Sequence, residues 1–101
     1  MFIIISLFNA VNYNMQKSEF HAEMAEIDND IVDLNKKVAQ KIRQLRIDSG
    51  YSSYETFAFD KEINRVQYWR IENGKNITLQ TLFKVLKLHM ITPAEFFSTI
   101  T

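Results

Sequence analysis

Ser52-Ser53-Tyr54-Glu55-Thr56-Phe57-Ala58-Phe59-Asp60-Lys61-Glu62-Ile63-Asn64-Arg65-Val66-Gln67-Tyr68-Trp69-Arg70-Ile71-Glu72-Asn73-Gly74-Lys75 holds two helix starts and a helix end in one stretch. Ser52 to Glu55 has the form of a capping box: a serine oxygen takes a free amide of the first turn, and a glutamate three residues on reaches back. The helix it starts carries Phe57 and Ala58 and stops in the polar cluster Asp60-Lys61-Glu62. A second start falls at Asn64, with Gln67 at the reciprocal capping position. That helix ends at Gly74, the residue type that most readily turns left-handed just past a helix. Two short helices joined by a few residues form a helix-turn-helix layout, whose second helix enters the major groove of DNA.

The flanking sequence extends the pattern. Lys37 to Ser49 is amphipathic, with Val38, Ile42 and Leu45 inward, and Gly50 follows as a helix stop. Thr78 can cap a helix with Leu79, Leu82, Phe83 and Leu86 on one face. Thr92-Pro93-Ala94-Glu95 gives a cap, a proline at the first helical position and a glutamate at the third. Residues 36–101 therefore read as five short helices. The chain has 101 residues, one domain's worth, with 47% hydrophobic and 24% charged residues. Two glycines and one proline leave little turn punctuation for a many-stranded sheet, so the fold class is all-α. Without cysteine there is no disulfide, cysteine zinc site or thiol catalysis, and two histidines are too few for a metal cage. An enzyme, a resident metal and a cofactor are not expected.

Zero net charge hides an asymmetry. Residues 1–35 hold one lysine against six acids, giving −5, and residues 36–101 hold eleven Lys and Arg against six acids, giving +5. A basic half points to an anionic partner, nucleic acid first. The acidic half has two parts. Residues 1–15 form an apolar, β-prone, uncharged tail, too short to span a membrane and without a secretory signal's features. It reads as a loose tail or a start-site extension, with Met15 a sensible alternative start. Residues 16–35 carry an acidic helix with Phe20, Met24, Ile27, Ile31, Leu34 and Val38 at alternating spacings of four and three. Lys36 and Lys37 would sit badly at a fresh helix N-terminus, so the helix runs on into the basic half or breaks weakly near Asn35. The stripe either folds back on its own domain or pairs with a second copy. A parallel pair sets Glu23 against the partner's Asp28, so antiparallel pairing is the better version.

Arg65 to Lys75, ending Arg-Ile-Glu-Asn-Gly-Lys, resembles the Cro/repressor-type helix-turn-helix family, also called the XRE or lambda-repressor-like family. The resemblance runs from about Val38 to Phe97. It implies a compact five-helix domain that binds operator DNA, commonly as a dimer, preceded here by an amphipathic helical extension. It places Tyr68 and Ile71 in the core and Arg65, Val66, Trp69 and Arg70 at base-contact positions, with Gln67 beside them. Val66 suits a thymine methyl, and Arg65 or Arg70 suits paired bonds to guanine. The resemblance gives Ser53, Tyr54, Asn73, Lys75 and Thr78 as phosphate contacts, and Arg46 with Glu72 as a structural ion pair. Breaking such a pair in a dry site costs about 3–5 kcal/mol. The chain departs from the family at Tyr54, where glutamine is usual, at Glu62, where glycine is usual, and by one extra residue before the second helix. A non-glycine residue in a left-handed turn costs about 1 kcal/mol, so a differently shaped turn is expected at Glu62.

These readings converge on a cytoplasmic regulator, a repressor, that binds double-stranded DNA as a homodimer with helix 64–73 in the major groove. The alternatives are an antitoxin using the same fold to repress its own operon, with its toxin held on the acidic helix 19–34, and a pure protein-interaction module.

Overall fold

Five helices make up the described part of the chain: α1 Lys17–Asp48, α2 Tyr54–Asp60, α3 Arg65–Glu72, α4 Leu79–Leu88 and α5 Pro93–Ile100. The computed structural model describes residues 17–100, so the expected apolar tail 1–15 lies outside the described residues. Among the described residues there is no strand, and no helix is long and apolar enough to cross a membrane. The fold is all-α.

The chain divides between Ile31 and Val32 into two units. Of the two expected versions, a continuous helix or a weak break near Asn35, the continuous one is present: α1 runs through Asn35 as one helix of 32 residues. In the first unit, the described residues are exposed helix. In the second, Val38, Ile42, Phe57, Ala58, Tyr68, Ile71, Leu82, Val85, Leu86 and Phe96 form one buried cluster. Every helix of this unit contributes to it, because each has apolar residues three or four apart on one face. Phe57 lies at its aromatic centre, 5.0 Å from Tyr68, 5.2 Å from Tyr51 and stacked on His89 at 5.0 Å.

The helix starts follow from side-chain oxygens taking the free amides of a first turn. Asn64 Oδ1 accepts from the Gln67 amide, Thr78 Oγ1 from the Thr81 amide and Thr92 Oγ1 from the Glu95 amide. At α2 a single-residue cap stands one residue later than the expected capping box. Ser53, not Ser52, is the cap, and its hydroxyl accepts from the Glu55 and Thr56 amides. The helix ends depend on left-handed residues. Gly50 and Gly74 take positive φ, and so do two residues that are not glycine, Glu62 at 57° and Met90 at 57°. The turn between α2 and α3 thus keeps its left-handed step with glutamate in place, against the expectation of a different shape.

Candidate nucleic-acid interface

The turn at Lys61–Asn64 holds α3 against α2, and α3 has two unlike sides. Tyr68 and Ile71 are buried at 0% and 1% exposure, while Val66 is 62% and Trp69 39% exposed. Arg65, Gln67 and Arg70 are exposed as well. Spacing alone put apolar residues on both sides, so burial decides which side faces water. The exposed side holds two guanidinium groups, an aliphatic group and an indole, a set that can donate paired hydrogen bonds and make apolar contacts with base edges. Arg65, Val66 and Trp69 line a shallow hollow of about 350 Å³ together with Tyr54 from the first turn of α2.

The orientation of α3 is fixed from behind. Arg46 on α1 donates from Nε to Glu72 Oε1 at 2.6 Å and from Nη2 to Oε2 at 3.2 Å. Its Nη1 donates to the Tyr51 carbonyl at 2.7 Å, and the Tyr68 hydroxyl donates to Glu72 Oε1 at 3.1 Å. Both charged side chains are 5% exposed. The hydrogen bond that Arg46 donates to Glu72 raises the Arg46 pKa above its ordinary value, and burial, then the Glu72 charge, holds the Tyr68 phenol far above its own. The network stays charged at Arg46 and neutral at Tyr68, so it acts as a permanent brace between α1 and the last turn of α3.

The remaining sequence-predicted residues are placed as follows. Asn73 caps α3, its side-chain amide donating to the Trp69 carbonyl at 2.8 Å, and Lys75 is exposed in the loop that follows. Ser53 and Thr78 cap α2 and α4, so their oxygens already serve helix amides. Gln67 turns toward α4, donating from Nε2 to Thr81 Oγ1 at 3.2 Å. This bond lies in a cleft of about 500 Å³ between the turn and α4, lined among others by Lys61, Lys84 and Lys87. Sequence reading missed Lys61 and Lys84 as cations beside the start of α3, because they belong to other segments. The available signal was the spacing Thr81, Lys84, Leu88, which places Lys84 on the face of α4 that Gln67 meets.

Two helices joined by a left-handed turn, the second braced on its inner side and basic on its outer side, define a helix-turn-helix protein. Control protein C.MunI of Mycoplasma sp is 36% identical to the chain over 69 residues, which cover 67% of this chain and 93% of the relative. The chain belongs to the family of that control protein and is a helix-turn-helix regulator. No family model and no solved structure matches the chain significantly.

Proposed function

We propose that the chain binds double-stranded DNA sequence-specifically in the cytoplasm, as a homodimer, and represses transcription. The observation that carries this reading is the outer face of α3, where Arg65, Val66, Trp69 and Arg70 stand exposed while Tyr68 and Ile71 anchor the helix. In this reading Arg65 and Arg70 bond guanine edges, and Val66 and Trp69 meet apolar base surfaces, with Gln67 at the flank. Ser53, Tyr54, Asn73, Lys75 and Thr78 lie along the phosphates and set the register. The kinship with a control protein and the resemblance of Arg65–Lys75 to the Cro/repressor type support it. No catalytic step and no cofactor enters it.

A second reading, in which the acidic stretch 19–34 holds a protein partner, rests on the exposure of every residue in that stretch. Selection from a random duplex pool at two salt concentrations tests the first reading. An enriched inverted repeat, with half-sites about 34 Å apart, is expected. Binding at low salt without enrichment would remove sequence specificity, and no binding at either salt would leave the protein-partner reading in its place.

A further inference from the structure

α3 has two flanks, and the phosphate contacts named so far lie along only one of them. On the α2 flank, Tyr54 borders the hollow beside Arg65, Val66 and Trp69, and Ser53 precedes it as the cap of α2. Asn73, Lys75 and Thr78 follow the far end of α3. Gln67 stands about 200° round the helix from Arg65, on the opposite flank, and its side chain turns toward α4. The major groove is about 12 Å wide and a helix with its side chains about 10–12 Å across, so a helix seated there meets a sugar-phosphate wall on each side. The α4 flank therefore has a strand of its own to meet.

What that flank holds is a cleft of about 500 Å³ whose lining includes Lys61 from the turn and Lys84 and Lys87 from α4. Glu62 is the one acid in the lining, so three cations stand against it. Among the described residues the one ion pair is Arg46 with Glu72, which leaves none of the three lysines paired with an acid. Lys61 and Lys84 are exposed. Neutral donors converge on the same place. Thr81 Oγ1 accepts from Gln67 Nε2 at 3.2 Å and from Thr78 Oγ1 at 3.0 Å, so both its lone pairs are taken and its own proton remains to donate. The Gln67 amide keeps a second N–H that Thr81 does not use. Two cations with an amide and a hydroxyl beside them suit an anionic oxygen. The cleft is also continuous with the outer face of α3, because Gln67 lines it and is followed round the helix by Arg70.

We infer that this cleft holds a phosphodiester of the DNA strand on the α4 side of α3, with Lys61 and Lys84 as its cations and Gln67 and Thr81 as its neutral donors. The inference rests on the proposed DNA reading and gives the helix a second wall of backbone contacts. It also moves Gln67 from the edge of the base-reading set to the backbone set, where its bond to Thr81 positions it.

The test compares the unmodified full-length chain with Lys61→Gln/Lys84→Gln on the selected duplex and on random duplex, across a range of salt. Both lysines are exposed, so the variant should unfold at the same temperature as the unmodified chain. Its slope of log affinity against log salt should be shallower by about 2 per copy on both DNAs, with the ratio of the two affinities unchanged. Lys37→Gln/Arg43→Gln removes the same charge from exposed positions of α1 and serves as the control. An equal loss of slope in the control would assign the effect to net charge and overturn the inference, and so would an unchanged slope in the cleft variant. Loss on the selected duplex alone would make the two lysines readers of sequence and overturn their backbone role. Neutral methylphosphonate groups, placed one at a time in the selected duplex, locate the contact. At the phosphate that the cleft holds, the replacement should weaken the unmodified chain and leave the cleft variant's binding unchanged; identical losses in both chains at every position would overturn the inference while the DNA reading stands. A flat salt response from the unmodified chain would remove the DNA reading and the cleft's role together.

Discussion

Arg70 and Lys75 carry the same charge five residues apart, yet they sit on different kinds of backbone. Arg70 projects from the exposed side of α3, and Lys75 lies in the loop beyond its cap. Arg70→Ala should lose about 1–3 kcal/mol of discrimination at particular base pairs. Lys75→Ala should weaken all sequences alike and shrink the salt slope by about 1. Titrations on the selected site and on random duplex measure both; equal loss on the two DNAs from Arg70→Ala would remove it from the readers. Behind the helix, Glu72→Ala strands the Arg46 charge at 5% exposure and should cost about 3–5 kcal/mol in chemical denaturation. A loss below 1 kcal/mol would mean that Arg46 finds water. His89 makes a different kind of prediction. Its Nε2 is buried with no hydrogen-bond partner, and its ring stacks on Phe57. Burial first, and then the Lys61 charge, lowers its pKa below the ordinary 6.5, against a weaker upward pull from Glu72. The folded chain thus refuses a proton that the unfolded chain accepts. Stability is full above pH 6.5 and falls as the pH drops below it. The thermal midpoint should decline from pH 7.5 to 5.5 in the native chain and stay nearly level in His89→Gln; equal slopes would assign the decline to other groups.

At the scale of helices and turns, the ends are more informative than the starts. Four of the turns that end helices contain a left-handed residue, and the chain has two glycines to fill them. Gly74 has φ of 70° and no atom nearer than 3.8 Å to an added Cβ, so a side chain there meets torsional strain rather than a clash. Gly74→Ala should cost about 1 kcal/mol. Glu62 is the reverse case. Replacing it with glycine relieves about 1–2 kcal/mol of strain and adds about 0.5–1 kcal/mol of lost chain entropy. Glu62→Gly should therefore lie between no change and about 1.5 kcal/mol more stable, with Glu62→Gln as the control for charge. A fall of more than 1 kcal/mol would show that the glutamate side chain holds the turn. The same turns show where the sequence is legible. Asn64, Thr78 and Thr92 announce their helices because an oxygen ahead of an apolar run has a defined task. The serine pair at 52–53 offers that oxygen twice, and the tertiary fit of α2 takes the second. Met90 ends α4 with no chemical sign of its left-handed backbone. The burial of Tyr68 and Ile71 was legible through the resemblance, not through period, since both sides of α3 hold apolar groups. The bond from Gln67 to Thr81 joins residues on separate helices and has no signature in either one.

For the whole molecule, the opposed charges of its two parts make salt dependence a test of how DNA is met. The chain as a whole is neutral, so attraction set by net charge would be close to zero and insensitive to salt. Attraction set by the cations that touch phosphate is different in kind, because each neutralised phosphate releases a condensed counterion. Screening reinforces the distinction. At physiological salt the Debye length is about 8 Å, so charges farther from the DNA than that contribute little. Lys75 on phosphate should contribute a slope of about −1 per copy in log affinity against log salt, about −2 for two copies on one site, and each further cation of segment 36–101 that reaches phosphate should add about −1. The measurement is a titration on the selected duplex between 50 and 200 mM salt. A steep negative slope from a neutral chain would locate binding in the basic segment 36–101. A flat line would show that the exposed face of α3 does not reach the backbone, and the proposed DNA reading would fall with it.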